Sequence, residues 1–417
     1  VSRNARLALL AMSIGGFAIG TGEFVSMGLL PNIADGVHIS IPQAGHVVSA
    51  YAVGVMIGAP LIAAVGAKLP RKRMLWILMA AFAVGNVASA LAPNYPCLLI
   101  ARFASGLPHG AFFGIGAIVG ASLVPANRRA WAVSMMLAGL TVANVVGVPV
   151  TTLIGQQWGW RWPYAAVGIL GMLTLAAVLF WVPQRPVEQG TTIRSELSAL
   201  RHRQVWLALL IGTVGFGGMF ATYSYITPTM MTLAGFSETA VTAVLAVYGM
   251  GMTLGIVLGG RLADRALMRG LYGALVVTAV VLFSFGYAVH TKPGAVIAVF
   301  ALGITGSLLV PMLQTRLMDV ARDGQSLAAA LNHSTLNLAN ALGAWLGGVV
   351  LDAGLGYEWP SRIGSFLAVA ALLLALISGR LDHVAQRDPL VDGAIFDEAQ
   401  VPSFASTSAA IASSGPE

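Results

Sequence analysis

Twelve apolar runs, each roughly 20 residues long and separated by short polar breaks, occupy most of the chain and constrain its fold more than any other feature. They lie near 7 to 30, 44 to 67, 74 to 92, 96 to 123, 131 to 156 and 162 to 182, then near 205 to 232, 239 to 260, 271 to 289, 294 to 317, 327 to 351 and 363 to 381. Each is long enough to cross a hydrocarbon core as a helix. Hydrophobic residues make up 57% of 417 positions and charged residues 9%, more apolar surface than a soluble domain can hide. The expectation is an all-α polytopic membrane protein with twelve transmembrane helices. Glycines spaced four apart (Gly54 and Gly58, Gly106 and Gly110, Gly251 and Gly255, Gly343 and Gly347) suit close helix packing in lipid.

Lys and Arg fall unevenly on alternate sides of these runs. Nineteen are on one side, and only Arg161, Lys292 and Arg362 are on the other; Arg102 lies inside a span. The positive-inside rule makes the crowded side cytoplasmic, with both termini there. This orientation also explains the +7 net charge without a nucleic-acid partner.

Sliding the chain against itself by 197 residues aligns Gly20 with Gly217, Pro31 with Pro228, Tyr51 with Tyr248, Gly54 with Gly251, Gly58 with Gly255 and Gly106 with Gly303. The pattern predicts two six-helix bundles related by a pseudo-twofold along the membrane normal, with a small-molecule site between them near the midplane. The expected divisions are a bundle over 1–183, a cytoplasmic linker over 184–204, a bundle over 205–383 and a disordered cytoplasmic tail over 384–417.

Several functions are disfavoured. The lone Cys97 rules out an internal disulfide and a thiolate metal site, and no metal or cofactor is expected. None of the three lysines belongs to a Gly-Lys-Ser/Thr phosphate loop, and neither His-Glu-x-x-His nor Gly-x-Ser-x-Gly occurs, so neither an ATP-driven pump nor an enzyme is expected.

Four stretches carry a family resemblance: "GTGEFVSMGLLP" (20 to 31), "GAPLIAAVGAKLPRKR" (58 to 73), "RFASGLPHGAFFG" (102 to 114) and "GLTVANVVGVP" (139 to 149). With these, the chain resembles the major facilitator superfamily, and within it the twelve-span drug:proton antiporter branch that includes sugar and chloramphenicol exporters. The resemblance implies the major facilitator fold, a monomer in the cell inner membrane, and helix distortion in span 5 at Gly139, Gly147 and Pro149. It also implies a cytoplasmic gate using Lys68, Arg71 and Lys72, with Asp264 and Arg265 in the second-half copy. The first copy departs from the family pattern by having Ala67 where an Asp is usual.

Glu23 is the only charge between Arg6 and Asp35. It lies eight residues before Pro31, roughly 12 Å inside span 1, and Arg102 lies roughly 9 Å inside span 4 if that span begins at Pro96. A carboxylate in hydrocarbon is costly unless it is neutralised, paired or wetted. The expectation is that Glu23 and Arg102 face one cavity and couple protons to cargo. Burial favours the protonated acid while a guanidinium favours the carboxylate, so the group can load and lose a proton. A structural role for both stands beside this reading. Candidate cargo contacts are Tyr51, His109, Asn144, Tyr223, Tyr248, His333, Asn337 and Asn340, with interhelical hydrogen bonding as the alternative for each polar group. The function expected is proton-coupled efflux of small drug-like or sugar-like molecules. The alternatives are uptake of a sugar or metabolite and, behind it, a membrane-embedded enzyme. Trp158, Trp160 and Trp162 read as interfacial anchors.

Overall fold

The computed structural model describes residues 2–66, 69–125, 128–184, 201–321 and 325–387. No water can satisfy a backbone group inside hydrocarbon, so a spanning chain must bond its amides within helices. The described residues are accordingly helical, with no strand among them. Spans 1 to 4 are Arg3–Gly28, Ile41–Gly66, Arg71–Leu91 and Tyr95–Ser122. Span 5 is broken into Arg129–Val142, a π-helical stretch Ala143–Gly147 and Val148–Trp158; span 6 is Arg161–Trp181. Span 7 is Arg203–Ser224, spans 10 to 12 are Lys292–Ala321, Gln325–Asp352 and Trp359–Arg387, and Glu238–Ala288 holds both spans 8 and 9. The last two meet at an elbow where Ala266 leaves helical geometry (φ −161°, ψ 75°). The twelve-span, all-helical architecture expected from the apolar runs is therefore present. Residues 185–200 of the expected linker and 388–417 of the expected tail lie outside the described residues.

Polar side chains start several helices by capping free amides. Ser2 accepts from Ala5 N, Asn94 from Cys97 N and Ser237 from Ala240 N. Many large apolar side chains face outward, including Phe180 at 83% and Ile100 at 70% exposure, as suits a surface solvated by lipid.

The internal repeat is visible atom for atom where helices approach most closely. A Cβ on Gly54 would strike the carbonyl of Phe103, and one on Gly251 that of Phe300. Gly106 lies against the carbonyl of Tyr51 and Gly303 against that of Tyr248, while Gly58 meets Leu107 as Gly255 meets Ile304. Spans 2 and 4 thus pack as spans 8 and 10 do, through backbone contact that only glycine permits. The breaks repeat too. Span 1 ends at Leu29 (φ −112°, ψ 18°) before a short helix Leu30–Gly36, and span 7 ends at Tyr225 (φ −109°, ψ 22°) before Ile226–Thr232. Pro31 and Pro228, one in each short helix, lack the amide needed to continue the helical ladder.

Span 5 has a local cause for its distortion. Pro149 has no amide to donate and its ring crowds the preceding turn, and the helix widens so that Val148 N reaches back to Ala143 O. Gly139 and Gly147 let this irregular segment lie against span 1, where a Cβ would strike Ser13 O and Thr21 Oγ1 respectively. Trp158 and Trp162 are exposed as anchors would be. Trp160 is not: it is 4% exposed, with Tyr164 edge-on at 6.0 Å and Arg161 over its ring, so it belongs to the packing rather than to the lipid boundary.

Candidate functional site

The halves meet along span 2 against span 11 and span 5 against span 8. Among the described residues, hydrogen bonds between them lie in the arginine-poor half of the spans, with one exception. Asn32 Nδ2 donates to Glu238 Oε1 at 2.7 Å, Gln156 Nε2 to Glu238 O at 2.9 Å and Ser49 Oγ to Ala341 O at 2.9 Å. Thr227 Oγ1 lies 3.1 Å from Met27 O and 3.0 Å from Gly28 O. This last contact follows from sequence: Pro31 cannot donate to Met27 O, and the hydroxyl of the opposite half satisfies that carbonyl instead. Phe24, Met27, Leu30 and Val148 join second-half apolar residues in one cluster at the same end, which is closed. Toward the arginine-rich end the halves touch through Ser334 Oγ and Met56 O at 3.5 Å and through a parallel stack of Phe113 on His333 with centroids 6.0 Å apart.

Glu23 sits just inward of that closed end, 7% exposed, where the two halves converge. Arg102, Tyr51, Tyr248 and Asn340 lie within its electrostatic reach. No ion pair joins it to Arg102. Arg102 is fully buried with its guanidinium between two rings, 4.3 Å from the centroid of Tyr51 and 5.1 Å from that of Tyr164, and it donates through Nη2 to Gly22 O at 2.9 Å. Its charge is thus presented behind Glu23 rather than bonded to it. Nε and Nη1 have no hydrogen-bond partner.

The remaining candidates fall into connected groups. Tyr51 Oη lies 3.1 Å from His109 Nδ1, and His109 packs on Phe113 at 5.4 Å, so a polar and aromatic track runs down span 4 to His333 on span 11. Tyr223 and Tyr248 stack at 3.8 Å, with Phe24, the neighbour of Glu23, edge-on to Tyr223 at 6.0 Å. Asn340 is 1% exposed, and its side chain is directed at Glu23 across the junction of the halves. Asn144 and Asn337 donate to the carbonyls of Leu140 and His333, which leaves each Oδ1 unpartnered. A buried region that combines a carboxylate, a caged cation, free amide groups and stacked aromatics can bind a small molecule having both polar and flat apolar surface. Among the described residues no group of His, Cys, Asp and Glu could hold a metal.

The expected gate is less complete. Lys68 lies outside the described residues, and Lys72 Nζ donates to Leu179 O within its own half. Asp264 and Arg265 are exposed, and among the described residues no ion pair joins Asp264 to another helix. A different charge pair, with its arginine buried and its aspartate partly exposed, stands at this end. Arg316, 6% exposed, pairs with Asp382 and donates to Gln204 Oε1 at 3.1 Å and Ser378 Oγ at 3.0 Å, tying the ends of spans 7, 10 and 12. In the sequence Arg316 is one of the nineteen basic residues of the crowded side. Its position between Leu313 and Leu317 on a helix face was the available signal.

A family profile described as the Major Facilitator Superfamily matches residues 12–328. The chain is 43% identical over 372 residues to "Inner membrane transport protein YdhP" of Escherichia coli O157:H7, covering 89% of this chain and 96% of that one. It is 30% identical over 376 residues to a "Chloramphenicol resistance protein" of Streptomyces lividans, covering 88% and 95%. The crystal structure of a D-xylose–proton symporter superposes with a TM-score of 0.70 over 88% of this chain and 96% of that one, at 20% identity, a likeness of fold.

Proposed function

The chain belongs to the major facilitator superfamily and is a membrane transporter, and from that premise we propose that it exports small organic molecules in exchange for protons. The cargo is neutral or cationic, drug-like or sugar-like. The transporter works as a monomer in the cell inner membrane with both termini cytoplasmic, and the proton gradient replaces any cofactor. One observation carries this reading: the only acid within span 1 is buried at the junction of the halves, with the side chain of Asn340 of the opposite half directed at it and the Arg102 charge behind it.

Cargo and proton compete for Glu23. Cargo entering from the cytoplasmic side favours the carboxylate, while a proton arriving from outside neutralises it, expels the cargo and permits return. Each inward proton contributes about 2.3 kcal/mol per 100 mV of membrane potential, enough to concentrate cargo outside. The stacked tyrosines supply a flat apolar surface, and Asn144, Asn337 and Asn340 supply hydrogen bonds to cargo. The chloramphenicol-resistance relative supports a drug-like cargo, and the resemblance to sugar exporters supports a sugar-like one.

Everted vesicles carrying the protein test the reading. Adding cargo, screened among antibiotics and sugars, should dissipate an imposed pH gradient. Glu23→Gln should abolish this pH-driven transport while cargo counterflow persists. Unchanged pH-driven transport in Glu23→Gln would remove the proton role, and cargo accumulation driven in the opposite direction would establish uptake instead.

A further inference from the structure

We infer that the cavity at the elbow between spans 8 and 9 is a binding site for an anionic phospholipid. The inference does not depend on proton coupling. The cavity has a volume of about 490 Å³ and is lined by Arg261, Arg265, Leu258 and Leu262 of span 8, Val277 of span 9 and Leu308 of span 10, among others. Arg261 and Arg265 are four residues apart and so share one helix face, immediately before the elbow at Ala266. Both are exposed, and among the described residues neither has a hydrogen bond or ion pair within the protein. No acidic side chain lines the cavity; Asp264, between them in sequence, is exposed and is not part of its wall. Two guanidinium groups with no internal partner, at the arginine-rich end of the spans, match the fork geometry that phosphate oxygens accept.

The rest of the wall selects a lipid over a free anion. Leu258 lies eight residues before the elbow and Val277 eleven after it, so at 1.5 Å per residue the apolar surface runs roughly 12 to 16 Å from the elbow, and it continues past Arg261 by about 4.5 Å at Leu258. Thr305, the other polar residue of the lining, donates its hydroxyl to Ala301 O and offers the cavity no free donor. Leu262 and Val277 are 39% and 50% exposed, so the cavity opens to the surroundings where acyl chains lie. Cations above an apolar wall between spans make up a basic pocket of the kind that holds an acidic lipid headgroup.

Native mass spectrometry of the full chain in detergent, offered equal amounts of phosphatidylglycerol and phosphatidylcholine, tests the assignment. The wild type should retain phosphatidylglycerol roughly thirtyfold over phosphatidylcholine, as two cations at an anionic surface imply. The R261A/R265A double variant should lose the preference, and R261K/R265K, which keeps the charges without the forks, should keep only part of it. Val277→Trp, which fills the wall and leaves both arginines in place, should reduce phosphatidylglycerol retention severalfold and provides the test if the double variant does not fold. Equal retention of the two lipids by the wild type, an unchanged preference in R261A/R265A, or unchanged retention in Val277→Trp would overturn the proposal. Displacement of the lipid by excess inorganic phosphate would also overturn it, by making this a site for soluble anions.

Discussion

Arg102 Nη2 donates to the carbonyl oxygen of Gly22, the residue before Glu23, at 2.9 Å. The cation therefore acts on the acid through the backbone that carries it and through the field of a fully buried charge. The cage depends on shape as well as sign: a planar guanidinium lies over Tyr51 and Tyr164, and a lysine cannot reproduce that stacking together with a directed bond to Gly22. Arg102→Lys is expected to lower transport about tenfold, since a charge without its geometry leaves Glu23 poorly positioned. Arg102→Ala should also lower thermal stability, consistent with loss of two desolvated cation–π contacts at about 1 to 2 kcal/mol each. Vesicle transport alongside thermal unfolding in detergent measures both.

Tyr51 separates two interactions that a single substitution would usually confound. Its ring supports Arg102 and its hydroxyl meets His109 Nδ1 at 3.1 Å. Tyr51→Phe keeps the ring and should cost about 1 kcal/mol of stability, the net value of one hydrogen bond. Tyr51→Ala removes both and opens a cavity, at a cost of about 3 to 5 kcal/mol. If the polar track down span 4 contributes to transport, Tyr51→Phe will slow it at near-normal stability. Unchanged transport in that variant would reduce the hydroxyl to a structural role.

The glycines aligned by the 197-residue offset were legible because backbone contact leaves a mark in sequence: nothing larger fits, so the residue type itself reports the interface. The span 5 distortion was legible for the same reason, through a proline that lacks a donor. Charged residues were visible individually, but not their pairings. Arg316 and Asp382 belong to different spans, and no local pattern states that the ends of those spans meet. Glu238 reads as an ordinary helix-start acid, yet its side chain accepts from Asn32 in the other half. Asp264 and Arg265 illustrate a further case: their adjacency suggested a latch, while both side chains are exposed and Arg265 lines the cavity beside the elbow instead.

The repeated glycines make a paired prediction. Gly106→Ala would drive a methyl into the carbonyl of Tyr51, and Gly303→Ala would do the same at Tyr248. Because the obstacle is backbone in both cases, neither site can relax by a rotamer change, and each substitution should cost about 1 to 3 kcal/mol. Melting temperatures in detergent should fall by similar amounts in the two variants. A large fall in only one would show that the halves do not share this packing.

Thr227 joins the halves at the point where Pro31 leaves the helix of span 1 without an amide for Met27 O. Thr227→Val keeps the side chain's shape and removes the donor, so two carbonyls at the closed end lose their cross-half partner. A buried polar group without a partner costs about 1 to 3 kcal/mol, and that cost falls on the closed arrangement alone, since separating the halves would let the carbonyls bond to water. The substitution should therefore shift the conformational balance toward opening at the arginine-poor end by roughly tenfold. Labelling a cysteine placed at Phe24, in a Cys97→Ser background, with a membrane-impermeant thiol reagent reads that shift: the rate should rise when Thr227→Val is added. An unchanged rate would mean that the apolar contacts of Met27 and Leu30 hold this end shut without help from the hydroxyl.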